Sequence, residues 1–90
     1  MNNYYIYEQL MRYRPRAPLY TWNKIDRSQT ISYRIGHMTI VCTKYTDGKT
    51  TVNVRGDIAN QFGVKFRLFN EQITGGLADI IYNRAKRYCR

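Results

Sequence analysis

The sequence predicts a small single α+β domain over residues 1–90. An N-terminal helix is followed by an antiparallel β-meander of three to four strands and by a C-terminal helix packed on the sheet. Three observations support this prediction. Apolar residues recur at helical spacing near both ends of the chain, and two turn signals separate alternating segments in its middle. The chain is 43% apolar, which at this length is enough for one modest core.

The first helix is predicted over residues 3–13. Ile6, Leu10 and Tyr13 lie four and three positions apart, so they share one face of a helix. Pro15 ends this helix, because the residue before a proline is pushed out of the helical region.

Residues 14–28 are predicted to form the longest irregular stretch. They hold both prolines, Pro15 and Pro18, and the single tryptophan, Trp22. Proline has a fixed φ and no backbone N–H, so it is rare inside helices and central strands. We therefore expect a loop between the first helix and the sheet.

Two turn signals define the meander. Asp47-Gly48 is typical of a two-residue hairpin turn, in which both positions favour positive φ, and Gly36-His37 is a second candidate. The turns predict the pairs Tyr45–Thr50, Thr43–Val52 and Val41–Val54 in one hairpin, and Ile35–Met38, Tyr33–Ile40 and Ile31–Cys42 in the other. These registers place apolar residues on both faces of the central strand, so we expect it to be covered at least partly on both sides.

The last third of the chain combines three signals. Asp57 and Gly63 bracket a predicted helical turn, with the aspartate as cap and the glycine as stop. Apolar and basic residues then alternate over residues 64–69, which predicts a strand. Thr74 can cap the final helix, whose predicted apolar stripe consists of Leu77, Ile81, Ala85 and Tyr88.

Charge is the strongest functional signal. Fifteen Lys and Arg oppose six Asp and Glu, which gives a net charge of +9, and nine tyrosines are distributed among them. Such a protein typically meets a polyanion, because each neutralised phosphate releases condensed counterions. We therefore expect non-catalytic binding of nucleic acid, DNA or RNA, through a basic, aromatic-studded surface. A small virus- or plasmid-type inhibitor that binds an acidic or nucleoprotein target is the alternative.

Two basic clusters supply the candidate nucleic-acid-binding residues. In the first, cations are interleaved with aromatic rings, a combination that can follow a phosphate backbone and stack bases. The second joins the predicted fourth strand to the end of the last helix. The candidates are Arg12, Arg14, Arg16, Tyr20, Trp22 and Lys24 in the first cluster, and Lys65, Arg67, Arg84, Lys86, Arg87 and Arg90 in the second.

Each cluster also has a purely structural interpretation. Cations in a last helical turn favour the negative end of the helix dipole, which can account for Lys86, Arg87 and Arg90. Trp22 can pin its loop to the core, as a residue type that is usually well buried. Arg84 falls inside the apolar stripe, so we expect it to pair with a buried acid such as Asp57 or Glu71.

Two short motifs suggest other ways of binding. Residues 57–64 resemble the first helix and turn of a helix-turn-helix, which implies that Lys65 and Arg67 open a recognition helix. The strand pattern of the following residues favours the opposite interpretation. Thr74-Gly75-Gly76 precedes a helix and could present backbone N–H groups to an anion, although two glycines more often permit a tight turn.

Catalytic and metal-binding signals are weak. His37, Cys42 and Cys89 are too few and too scattered for a closed zinc site, so no metal and no cofactor are expected. A metal-free ribonuclease of the toxin type remains the second alternative. No apolar run approaches the roughly 20 residues of a membrane span, and no secretory signal is apparent. We therefore expect a reducing, cytoplasmic compartment.

Overall fold

A computed structural model describes residues 3–36, 38–59 and 66–89 of the chain. Its elements are α1 (Asn3–Arg12), β1 (Arg16–Asn23), β2 (Ser28–Ile35), β3 (Met38–Lys44), β4 (Thr50–Ala59), β5 (Phe66–Thr74) and α2 (Gly75–Arg87). The strands form one antiparallel sheet in the order β1-β2-β3-β4-β5. The predicted α+β meander between two helices is confirmed, with five strands instead of three or four.

The additional strand, β1, occupies most of the segment predicted to be irregular. That prediction is wrong because β1 is an edge strand, where a proline removes no hydrogen bond from the centre of the sheet. A bulge between Arg16 and Leu19, with Ala17 at a φ of 43°, absorbs the irregularity near Pro18. Seven of its eight residues are exposed, all except Pro18, so the strand shows no apolar alternation.

The two predicted hairpin registers have different outcomes. The pairing of β2 with β3 is confirmed, with Ile31 opposite Cys42. The pairing of β3 with β4 is shifted by one residue, because the turn contains three residues instead of two. The backbone N–H of Tyr45 donates to the carbonyl of Lys49 at 2.9 Å, and Gly48 has a φ of 89°. Thr43 therefore lies opposite Thr51, and Cys42 opposite Val52.

Both helices pack on the same face of the sheet. The core contains Ile6 and Leu10 from α1, and from the sheet and α2 it contains Ile31, Tyr33, Ile40, Cys42, Val52, Val54, Ile73, Ala78, Ile81, Tyr82 and Ala85. Tyr13 was predicted to share the buried face of α1 but is 48% exposed, because α1 ends one residue earlier. The buried side of α2 is centred on Ala78, Ile81, Tyr82 and Ala85, whereas Leu77 and Tyr88 are only half-buried at its margins.

The other face of the sheet, which we call the open face, is covered by none of the described elements. The central strand was expected to be covered at least partly on both sides, and no described helix covers it on the open face. Val41 is the one apolar side chain that β3 presents there, and it is half-buried. The corrected register instead forms a row of threonines in register across the sheet, consisting of Thr21, Thr30, Thr43, Thr51 and Thr74.

The segment around Asp57 is strand where a helical turn was predicted. β4 continues to Ala59 and β5 begins at Phe66, so the helix-turn-helix interpretation is wrong over residues 57–59 and 66–69. Residues 60–65 of that motif, with Lys65, lie outside the described residues. Because β4 and β5 pair to their ends, Asp57 lies opposite Leu68 in the ladder.

No helix in the described ranges is long and apolar enough to cross a membrane.

Candidate nucleic-acid interface

The end of α2 lies against the start of β1 and brings together residues from the two ends of the chain. The thiol of Cys89 lies 3.7 Å from the backbone carbonyl of Pro18 and donates to it. The guanidinium carbon of Arg14 lies 4.7 Å from the centre of the Tyr88 ring. The structure thus joins the first basic cluster to the last turn of α2, which sequence spacing could not show.

A groove at this junction forms a basic concave surface, which we call the basic groove. It encloses about 810 Å³ and is lined by Arg14, Pro15, Arg16, Ala17, Pro18, Arg87, Tyr88 and Cys89. Its three arginines are exposed, whereas Pro15 and Pro18 are buried. No carboxylate is among these lining residues, so the groove concentrates positive charge without internal neutralisation.

Arg16 connects the basic groove to the open face. It also lines a shallower depression of about 560 Å³, together with Ala17, Ser32, Tyr33, Arg34 and Thr39. Arg16 lies next to the bulge of β1, and bulges at sheet edges commonly redirect a neighbouring side chain. The positive surface therefore continues from the groove around the end of the sheet.

Sequence reasoning missed two further cations that extend this surface. These are Arg34 and Arg55. Arg34 lies opposite Arg16 on one side and opposite Thr39 on the other, and Thr39 lies opposite Arg55, so three exposed arginines form one row across the sheet. With strands about 4.8 Å apart, the row spans roughly 14 Å. The correct three-residue turn would have revealed Arg55, because register alone places it opposite Thr39 on the open face.

Arg84 is half-buried and contacts the same ring as Arg14. Its guanidinium carbon lies 5.9 Å from the centre of the Tyr88 ring. The predicted ion pair of Arg84 with Glu71 is wrong, because no described carboxylate forms an ion pair with Arg84. The side chain of Asp57, the other predicted partner, is not described. The Nε atom of Arg84 is buried without a hydrogen-bond partner. Burial raises the pKa of Tyr33, and the charge of Arg84 partly opposes that rise.

Tyr20 and Trp22 project from β1 on the side that carries α2. Tyr20 lies opposite the buried Ile31, and Trp22 lies opposite Gln29, which accepts a 2.8 Å hydrogen bond from the Tyr82 hydroxyl. The two aromatic side chains are 42% and 46% exposed, respectively. The expectation that Trp22 is pinned into the core is therefore wrong, because an edge strand leaves it uncovered on its outer side.

The remaining candidates divide by position. Arg12 ends α1 and Lys86 lies in the last turn of α2. Both side chains are exposed, and each lies within two residues along the chain of an arginine that lines the basic groove. Lys24 lies in the turn after β1, and the eight residues of β1 separate it from the groove by up to about 26 Å. Arg67 belongs to β5, but its side chain is not described, and Arg90 lies outside the described residues.

The glycine motif before α2 is explained by the chain path. Thr74 ends β5 and α2 begins at the next residue, so the chain must turn sharply from strand to helix. Gly75 has a φ of 73°, a conformation that favours glycine. The Thr74 side chain makes no capping hydrogen bond. A tight turn therefore accounts for Gly75 without an anion.

The two cysteines are free thiols with different surroundings. Burial raises the pKa of Cys42 to about 12, so this thiol stays protonated and unreactive near neutral pH. Burial also raises the pKa of Cys89, while the nearby Lys86 opposes the rise. Within the described ranges, no three His, Cys, Asp or Glu side chains converge as a metal site would require.

Comparison of this chain with protein-family models, with curated protein sequences and with solved structures finds no match in any of the three.

Proposed function

We propose that this protein binds nucleic acid without catalysis and that the basic groove holds phosphates of the bound strand. The observation that supports this most is the convergence of Arg14, Arg16 and Arg87 on one concave surface that no described carboxylate lines. Arginine suits phosphate because its planar fork offers paired N–H donors to two oxygens.

The distribution of acidic residues adds support. Asp26 and Asp47 lie in turns at the opposite end of the sheet from Arg16, where each accepts a local backbone hydrogen bond. Glu8 is exposed on α1 and Asp79 is exposed on α2. None of these four carboxylates lines the basic groove, so the positive charge of its arginines is not locally neutralised and raises the local concentration of a polyanion there.

We also propose a cytoplasmic location. Cys42 and Cys89 are both unpaired in the fold, and free thiols are typical of proteins in a reducing compartment.

Salt dependence of binding tests the proposed function. Nuclease-treated protein is titrated against labelled single-stranded DNA, RNA and duplex DNA of equal length at several salt concentrations. Three to four phosphate contacts predict that log K falls against log salt with a slope of about −2 to −3 for single strands. A flat response, or no binding to any of the three at low salt, contradicts the proposal. Recovery of intact RNA after incubation separates binding from ribonuclease activity.

A protein partner is the second candidate, favoured by one specific observation. None of the described strands pairs with the outer edge of β1, and the exposed apolar residues Leu19 and Ile25 lie on and beside it, 64% and 97% exposed. An unpaired edge strand with apolar side chains can receive an additional strand from a partner. If nucleic acid does not bind while a protein complex depends on Leu19, the inhibitor or interaction function is supported instead.

A further inference from the structure

We propose that the ligand of the basic groove is single-stranded nucleic acid, which runs from the groove along β1 and stacks its bases on Tyr20 and Trp22. This inference rests on the proposed function, since it specifies the kind of nucleic acid and its path. Three features of the structure support it: the basic groove, the exposure of two aromatic rings and the edge position of β1.

The path begins at Pro18, which both lines the groove and belongs to β1. Pro18 contacts the end of α2, since its carbonyl accepts a hydrogen bond from the Cys89 thiol. Beyond the bulge, the alternate residues Tyr20 and Trp22 project toward the side of α2. The two rings are therefore consecutive positions on one track that starts in the groove. The track leads away from the three arginines along the outer margin of the sheet.

The spacing of the rings suits nucleobases. Two residues of an antiparallel strand span about 6.8 Å, which is twice the roughly 3.4 Å separation of stacked bases. Each ring can therefore take one base, and the interval leaves room for a base between them. Aromatic stacking tolerates any sequence, because every base presents a flat face.

The exposure of the rings supports a ligand more than a core role. Tyr20 is 42% exposed and Trp22 is 46% exposed, and no strand within residues 3–36, 38–59 and 66–89 lies on the outer side of β1. Tyr20 lies opposite the buried Ile31 of β2, and Trp22 lies opposite Gln29, which accepts a hydrogen bond from the buried Tyr82 of α2. One flank of the track is thus built on a fixed support, while the outer flank is free to receive a base.

A duplex fits a different part of the molecule. Paired bases do not expose their faces to side-chain rings, so Tyr20 and Trp22 have little to offer a duplex. The open face carries the row of Arg16, Arg34 and Arg55 beside the threonine row, and sheets can contact duplex grooves. Duplex binding at the open face is therefore the outcome that competes with the single-strand track.

Trp22 is the single tryptophan of the chain, so its fluorescence reports directly on the track. The protein is titrated with a twelve-nucleotide single-stranded oligothymidine, with a duplex of the same length, and with polyphosphate as a polyanion without bases. We expect the single strand to quench Trp22 and to bind at least about tenfold more tightly than the other two, a difference of about 1.4 kcal/mol. Polyphosphate leaves the fluorescence unchanged.

Three variants locate the contact. Trp22→Leu and Tyr20→Leu should each weaken single-strand binding by about tenfold without changing the salt slope, because stacking neutralises no phosphate. Leu19→Ala is the matched control: it removes an exposed apolar side chain from the opposite side of the same strand and should change affinity less than twofold. Trp22→Phe keeps a ring, so retained affinity there beside a loss in Trp22→Leu assigns the contact to stacking. If Trp22→Leu fails to fold, Tyr20→Leu and the quenching of Trp22 carry the test.

The outcomes separate the two proposals. Duplex binding that is as tight as single-strand binding, with Trp22 unquenched, overturns the single-strand track and leaves nucleic-acid binding in place. So does unchanged affinity in both Trp22→Leu and Tyr20→Leu together with unquenched fluorescence in the wild-type protein. Absence of binding to every nucleic acid overturns both the track and the proposed function.

Discussion

The guanidinium of Arg14 stacks over the ring of Tyr88, with 4.7 Å between the guanidinium carbon and the ring centre. This contact fastens the segment that leads into β1 to the last turn of α2, and it fixes one wall of the basic groove. Arg84 approaches the same ring at 5.9 Å. Tyr88 therefore organises two cations that lie far apart in sequence.

A double-mutant cycle measures what this contact contributes. Cation–π contacts at partly exposed sites contribute about 0.5–1 kcal/mol, so Arg14→Ala and Tyr88→Leu should show a coupling of that size in the free energy of unfolding. Tyr88→Phe keeps the ring and should retain the coupling. Chemical denaturation of the four proteins checks this, and additive losses from the two single variants would show that the contact contributes nothing.

The reaction rate of the Cys89 thiol reports whether a ligand covers the basic groove. It is half-buried in the lining, whereas Cys42 is 0% exposed. A small maleimide at pH 7.5 should therefore modify Cys89 slowly and leave Cys42 unmodified until the protein is denatured. A saturating oligonucleotide should slow the modification of Cys89 several-fold, because the ligand covers the groove. Mass spectrometry follows each thiol, and an unchanged rate at Cys89 would place the ligand elsewhere.

Most of the fold could be predicted from the sequence, because burial imposes a visible pattern on the chain. Ile31 and Tyr33 alternate with polar neighbours in β2, so the first hairpin register could be read directly. β1 could not be predicted, since an edge strand exposed on both sides has no alternation. The basic groove was also beyond sequence reasoning, because the contact of Arg14 with Tyr88 depends on how α2 crosses the sheet.

The turn between β3 and β4 shows how one local detail changes the predicted surface. Asp47-Gly48 was correctly located, and Gly48 has the expected positive φ of 89°. The sequence could not distinguish a two-residue turn from a three-residue turn closed by Tyr45 and Lys49. This difference of one residue shifted the predicted register, so the sequence predicted neither the threonine row nor the position of Arg55 opposite Thr39.

Gly48→Val tests the conformation of this turn. A β-carbon at Gly48 meets no atom within 4 Å, so the cost arises from the positive φ alone and should be about 1 kcal/mol or more. Gly76→Ala is the matched control, because its site is equally open and its φ is not in the positive range. It should be neutral or stabilise α2 by up to about 1 kcal/mol. Equal melting temperatures for wild type and Gly48→Val would contradict the turn geometry.

Stability should fall in alkaline solution. Burial raises the pKa of Cys42 from 9.0 to about 12, and burial also raises the pKa of Tyr33. Both groups are neutral when protonated, so their contribution to the free energy of unfolding is complete below the pKa of the unfolded state. It is lost as the pH rises toward the folded-state pKa.

The thiol of Cys42 alone predicts a loss of about 1 kcal/mol in unfolding free energy between pH 8 and pH 10. Denaturation at a series of pH values checks this. Cys42→Ala lowers stability at every pH, because it removes buried atoms, but it should flatten the decline over this range. The same pH slope in both proteins would contradict burial of the thiol as its cause.

The affinity of two charge-matched single variants for one oligonucleotide tests the basic groove most directly. Arg16→Ala removes one groove cation, whereas Lys49→Ala removes one cation from the exposed turn between β3 and β4, at the other end of the sheet and away from β1. Phosphate contacts carry no base information, so the groove variant should bind every sequence at least about fivefold more weakly, with its single-strand salt slope reduced by about 0.7. The turn variant should change affinity less than about threefold, as expected for screened distant charges. Circular dichroism should show both variants folded, and equal loss of affinity in the two would contradict the groove as the binding site.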